Sequence, residues 1–355
     1  MLGGGTVDGI SLEELQLATR NHGMPLEALA YDVTPAGLHY LLIHYDIPAV
    51  DAASWRLSVG GAVGRQLSLS LPDVRARPEV TLPVTLECAG NGRTGLEPRA
   101  VSQPWILEAV GTAEWTGTPL RGVLEEAGIA DGAVEVLFTG LDRGVEGEVE
   151  QPYERSLPLE EALREEVLLA HSMNGRPLLP QHGFPLRLVV PGWYGMTHVK
   201  WLRAIAVLTE HFEGYQHSRS YRIRQTEDEP GEPVTLIRPR SLMMPPGIPD
   251  FLTRKRFVDA GEVVLRGRAW SGLGAVVRVE VSADGGRSWT DAELGSAASR
   301  FAWYPWRFLW NATPGEHELC CRATDSTGET QALGPSWNLG GYTNTAVQRI
   351  AVTVR

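Results

Sequence analysis

The chain has 355 residues, 43% of them hydrophobic and 21% charged, which suits a large apolar core and two or three domains rather than one. A formal net charge of -11 argues against non-specific nucleic-acid binding and against docking on anionic lipid, and it means that an anionic substrate would need a local cationic pocket. Three cysteines give no disulfide framework, and no stretch approaches the roughly 18 apolar residues of a membrane span.

Residues 1–17 contain no basic n-region, apolar h-region or twin arginine, so the chain as written is expected to be leaderless and cytoplasmic; a trimmed leader would make it periplasmic. Ser11 to Leu17 reads as a short helix, with Ser11 as N-cap and Glu14 at the capping-box position. Arg20-Asn21-His22 follows in a turn, where a solvated loop is the plain alternative to a binding role. His39 to Tyr45 alternates as a strand, and Trp55 to Gly61 continues the β pattern; His39 and His44 show no metal-ligand spacing.

Val80 to Leu86 reads as a strand, with Pro83 suiting an edge. It leads into Glu87-Cys88-Ala89-Gly90-Asn91-Gly92-Arg93, a thiol followed by small turn residues and a permanent cation. A soft thiolate beside an oxyanion-binding guanidinium suits a metal that handles oxyanions, whereas most free cysteines are simply buried and inert. Trp105 and Trp115 follow, each a packing residue or a pocket wall. Leu120 to Gly128 is a helix with a glycine C-cap. Val134 to Phe138 is a strand that ends in Thr139-Gly140-Leu141-Asp142, whose carboxylate could accept from ring N–H groups or serve the turn.

Leu159 to Leu163 begins a helix, and Glu166 to Pro177 follows with His171, read as structural. In His182 to Gly195 and His198-Val199-Lys200, the buried strand Leu186 to Val190 is surrounded by His182, Arg187 and Lys200, cationic or hydrogen-bonding groups suited to a phosphate. Tyr221 lies in Ser220-Tyr221-Arg222, and Gln225 to Pro233 is an acidic, Pro/Gly-rich linker or surface loop. Beyond it short β runs recur (Glu262 to Ala269, Val276 to Val281, Arg307 to Trp310, Glu318 to Thr324, Arg349 to Val354), with a hairpin signal at Ser282 to Trp289. Six of the eleven tryptophans fall between Trp270 and Trp337, which suits the core of an antiparallel sandwich of immunoglobulin-like architecture. Cys320 and Cys321 are neighbours in one strand and point to opposite faces, which disfavours a bond between them.

The segment 87–93, the Arg-Asn-His triplet, Trp105 to Gly117, Thr139 to Asp142, Glu166 to Pro177, His182 to Leu202 and the C-terminal sandwich together resemble, in order, the sulfite oxidase family of molybdopterin enzymes. The resemblance implies an α+β chain: a mixed α/β molybdopterin-binding domain over 1–228 and an immunoglobulin-like dimerisation domain over 229–355. It implies a molybdenum cofactor ligated by Cys88, and oxidation of sulfite to sulfate with electrons leaving to a separate acceptor such as a cytochrome c, no haem domain being attached. Arg20, Arg93 and Arg307 would hold the substrate, Tyr221 would act at it and Trp105 would wall its channel. Asn21, His22, Asp142, His182, Arg187, His198, Val199 and Lys200 would contact the pterin. Nitrate-reducing relatives generally lack an arginine at position 307, so its presence favours sulfite. The alternatives are a relative acting on nitrate, a sulfoxide or another sulfur compound, or a two-domain scaffold that has lost the cofactor. A symmetric homodimer is expected.

Overall fold

The computed structural model describes residues 10–355. They form two compact units, each discontinuous in sequence: the described residues up to Tyr40 with Pro83–Thr112 and Leu236–Arg355, and Leu41–Leu82 with Ala113–Thr235. This partition differs from the consecutive stretches 1–228 and 229–355, because the N-terminal helix and the cysteine loop pack within the same unit as the sandwich. No helix among the described residues is long and apolar enough to cross a membrane.

In the first unit the helix Leu12–Arg20 carries the expected capping box between Ser11 and Glu14. The sandwich pairs two sheets. One runs Arg240–Met243, Gly261–Trp270, Tyr304–Ala312, Glu293–Leu294; the other runs Ile248–Pro249, Arg256–Val258, Gln348–Val354, Gly315–Asp325, Val276–Ser282, Thr290–Asp291. Strand parity turns Leu265, Val279, Val281, Trp306, Trp310, Leu319, Cys321, Ala323 and Val352 into one core. The pairing is antiparallel except where Arg256–Val258 runs parallel to Gln348–Val354. All three cysteines are free and buried.

The second unit is built on a five-stranded sheet in the order Leu67–Leu69, Leu57–Gly61, Leu202–Leu208, Glu135–Glu146, Val149–Pro158. Leu168–Met173 pairs with Val110–Pro119 over Trp115–Pro119 and with Arg187–Val189. Two sequence expectations are corrected. His39 to Tyr45 is not a strand: the stretch leaves a turn in which Leu38 and His39 both donate to Pro35 O, and it then runs on irregularly with no strand ladder. The strand expected to stop at Phe138 continues to Glu146, with its register to Val149–Pro158 shifting between Thr139 and Arg143, so Asp142 sits in a bulge rather than at a strand end.

Candidate active site

Cys88 follows directly on the strand Val80–Glu87 and starts a tight loop. Asn91 N–H donates to Cys88 O (2.9 Å), and Gly92 closes the loop in the left-handed region (φ +90°). Arg93, buried, folds back over Gly90, where a Cβ would collide with its guanidinium. It donates from Nη1 to Gln103 O (2.9 Å) and from Nε to Gly340 O (3.2 Å) and lies 5.5 Å from the centre of the Tyr342 ring. Burial pushes the Cys88 thiol pKa up, while the Arg93 charge, the Gly90 N–H and the Trp105 indole act in the opposite sense. The buried Trp105 is strapped in place by Thr94, whose N–H and hydroxyl both donate to its carbonyl (3.1 Å each).

The Arg-Asn-His triplet reaches this loop through one residue that the sequence did not single out. Asn21, buried at the end of the first helix, donates to Gln103 Oε1 (2.9 Å), and Gln103 O takes the Arg93 guanidinium. Arg20 and His22, flanking Asn21, are both exposed. Glu87, Arg240, Trp270 and Asn344 were also missed. They surround the loop from below, with the Glu87 carboxylate accepting from Asn91, Arg240 and Trp270.

Arg307 is a correction. Trp306 and Trp310 point into the sandwich core, so parity turns Arg307 outward; its side chain is 66% exposed and ion-paired with Glu293 (2.7 Å), not with the residues around Cys88. The inference that its presence favours sulfite over nitrate loses its footing with it.

The second unit gathers a separate set. Arg187 is buried, stacked 4.6 Å from the Trp115 ring centre, and donates to His182 O (3.1 Å) and His198 O (3.4 Å). Lys200 donates to Leu42 O (2.7 Å) and lies over the Trp201 ring. Burial, with the Arg187 charge adding to it, brings the Lys200 pKa down to about 7. Burial raises Asp142 to about 6 against the opposing charges of Lys200 and His44, and its Oδ1 is buried without a hydrogen-bond partner. His182 and Val199 are buried; Val199 gives its backbone N–H to Thr197 O and its carbonyl to Leu188.

The His198 ring is tied to the backbone. Its Nδ1 accepts from Val190 N–H (3.1 Å) and its Nε2 meets Trp193 O (3.0 Å), so both ring nitrogens are committed to the backbone and burial holds it neutral, with the pKa down to about 3. Tyr221 is buried, adopts positive φ (52°) and lies under the Arg155 guanidinium. His171 is buried and paired with Glu79 (2.9 Å).

Two buried or partly buried cations beside an orphaned carboxylate oxygen are an expensive arrangement without an anionic, N–H-bearing ligand. A pterin carrying a phosphate satisfies both demands, and the lone Cys88 sulfur is the soft donor a molybdenum ion would take from the protein. Taken by itself, each unit's set fits the part of the cofactor that it would hold.

Comparison with known proteins agrees. Residues 44–216 match the oxidoreductase molybdopterin binding domain and residues 241–355 the Mo-co oxidoreductase dimerisation domain. The chain is 38% identical over 356 residues to the sulfite oxidase of Gallus gallus, covering 92% of this chain and 74% of that one. It belongs to the sulfite oxidase family of molybdopterin oxidoreductases. It is 37% identical over 341 residues to the mitochondrial sulfite oxidase of Mus musculus, of which it spans 62%, and 31% identical over 351 residues to an NADH nitrate reductase of Oryza sativa subsp. japonica, of which it spans 38%. The crystal structure of the sulfane dehydrogenase SoxCD from Paracoccus pantotrophus matches with a TM-score of 0.80 at 26% identity, covering 99% of this chain and 95% of that one.

Proposed function

We propose that this family member oxidises sulfite to sulfate and passes the electrons singly to a separate acceptor such as a cytochrome c. The observation that carries the reading is the buried Cys88 thiol held in one loop with a buried, permanently charged Arg93. Sulfite and water become sulfate, two protons and two electrons. When bound, the molybdenum cofactor supplies a two-electron centre for oxygen-atom transfer.

The chain's residues position and screen. Arg93 offers a charge that no working pH removes, and the Gln103 and Gly340 carbonyls fix its direction, so the anion meets a preorganised donor. Arg20, exposed at the helix end, is the second candidate for the anion. Trp105, buried in the same unit as the thiol, is assigned the wall of the substrate channel. Tyr221 is assigned a hydrogen-bonding role toward the substrate. Asn21, His22, Asp142, His182, Arg187, His198, Val199 and Lys200 are assigned to the pterin and its phosphate, with Lys200 regaining its proton against that charge. The division into a molybdopterin domain (1–228) and a sandwich (229–355) that forms a homodimer is part of the same proposal.

Turnover of sulfite with ferricyanide by molybdenum-loaded protein tests the reading, with nitrate as oxidant of the reduced enzyme and a sulfane-sulfur compound as reductant run beside it. Sulfite turnover well above the other two is expected. Molybdenum-loaded protein that turns over only nitrate or only sulfane sulfur would replace the substrate and leave the family in place.

A further inference from the structure

The Glu87 carboxylate is buried directly before the cysteine, and its ties run into the sandwich. Arg240 Nη1 donates to Glu87 Oε1 (2.8 Å), and both side chains are 2% exposed. Trp270 Nε1 donates to Glu87 Oε2 (2.7 Å), and Asn91 Nδ2 donates back to Oε1 (3.0 Å). The same Arg240 nitrogen reaches Asn91 O (3.3 Å) and Asn344 O (3.0 Å). Asn344 Nδ2 donates to Gly92 O (2.7 Å), and Thr343 N–H donates to Ala89 O (2.7 Å). Backbone at Ala89, Asn91 and Gly92 is thereby gripped by side chains and main chain from 240–344.

A buried ion pair is a poor way to gain stability, because desolvation consumes most of the attraction; what it enforces is geometry. Here the geometry is that of the loop. A Cβ at Gly92 would come within 3.2 Å of Arg240 Nη2 and 3.0 Å of Asn344 O, so the clamp closes only on glycine. Among the described residues Arg240 Nη2 and Nε have no hydrogen-bond partner, so Nη1 carries the arginine's polar ties to Glu87, Asn91 and Asn344.

We propose that Glu87, Arg240, Trp270 and Asn344 are positioning residues for the Cys88 sulfur, so that the sandwich, beyond any role in dimerisation, sets the direction of the metal-ligating thiol. This rests on the reading of Cys88 as the metal ligand, but not on sulfite being the substrate.

The test uses Arg240→Met, the double variant Glu87→Gln/Arg240→Met, and Arg268→Met as a control. Arg268 is another buried arginine of the same unit, bound to Leu29 O and Asp32, with no bond to the loop. Four quantities are read: the melting temperature, the rate of Cys88 alkylation by iodoacetamide in cofactor-free protein, the molybdenum content, and the molybdenum midpoint potential of the loaded protein. Arg240→Met leaves a buried carboxylate unpaired and should melt lower; the double variant removes both charges and should recover most of that loss. The proposal expects loop readouts that do not recover. In both loop variants alkylation should be faster by on the order of tenfold and the midpoint potential should shift, while Arg268→Met leaves both at the wild-type value. Loop readouts that follow the melting temperature across all three variants, or that stay at wild type in the double variant, would overturn it. A wild-type protein without sulfite turnover would instead sink the substrate reading, leaving the alkylation comparison intact. If Arg240→Met does not fold, the double variant alone decides.

Discussion

Gly90→Ala is a small change with a large expected effect. The added Cβ would fall on the Arg93 guanidinium, whose atoms are its three nearest neighbours and form the far end of a flexible side chain. The cheapest relief is for Arg93 to swing away, giving up Gln103 O at 2.9 Å and Gly340 O at 3.2 Å. Overpacking of this kind costs about 1–3 kcal/mol, so the melting temperature should fall by several degrees. The displaced guanidinium also stops facing the anion. A charge-assisted hydrogen bond is worth about 1.5–3 kcal/mol, which predicts a kcat/KM for sulfite lower by roughly ten- to a hundredfold. Steady-state sulfite oxidation with ferricyanide, with molybdenum content measured on the same samples, separates this from cofactor loss. A Gly90→Ala protein with full molybdenum and kcat/KM within about twofold of wild type would refute the argument that Arg93 acts from over Gly90.

Arg307→Met should change the KM for sulfite by no more than about twofold, since an exposed ion pair carries little energy and the side chain faces solvent; a large rise would restore Arg307 to the substrate site. Lys200 gives a pH signature in cofactor-free protein. Its folded pKa, about 7, lies below the usual lysine value of about 10.4, so from pH 7 upward the unfolded chain holds the proton that the folded one has released, and stability should rise with pH between about 7 and 9. Lys200→Met should flatten that rise in thermal melts; an unchanged slope would show that Lys200 keeps its charge in the fold. With phosphate-bearing pterin bound, the ammonium is expected to stay protonated and the wild-type rise should shrink.

The β runs of the sandwich were legible because period-2 alternation and tryptophan spacing are local signals. Leu265, Trp306, Trp310 and Val352 all face the core as that pattern requires. The capping box at Ser11 and Glu14 and the glycine after Leu120–Ala127 were readable for the same reason. The Cys88 loop could be singled out from its order, a thiol at a strand end followed by small turn residues and an arginine, although most free cysteines are buried and inert and only the resemblance of the whole segment lifted it above that. What the sequence hid was long-range. Gln103 joins the Arg-Asn-His triplet to Arg93 across most of a hundred residues, and Arg240 finds Glu87 from an unremarkable Pro-Arg-Ser stretch. A glutamate at the end of an apolar strand was the one available hint that a buried cation would be needed. The outward turn of Arg307 and the ties of the His198 ring were hidden for a related reason. Motif position does not report which face of a strand an arginine takes, or whether a histidine's nitrogens are already spent on the backbone.

The most direct measurement is the sulfur coordination number of molybdenum by X-ray absorption at the metal edge, in wild type and Cys88→Ser. The account expects one sulfur fewer in the variant, with the fold retained by circular dichroism. The same number of sulfurs in both proteins would mean that Cys88 is not the ligand, and the site built around it would have to be abandoned.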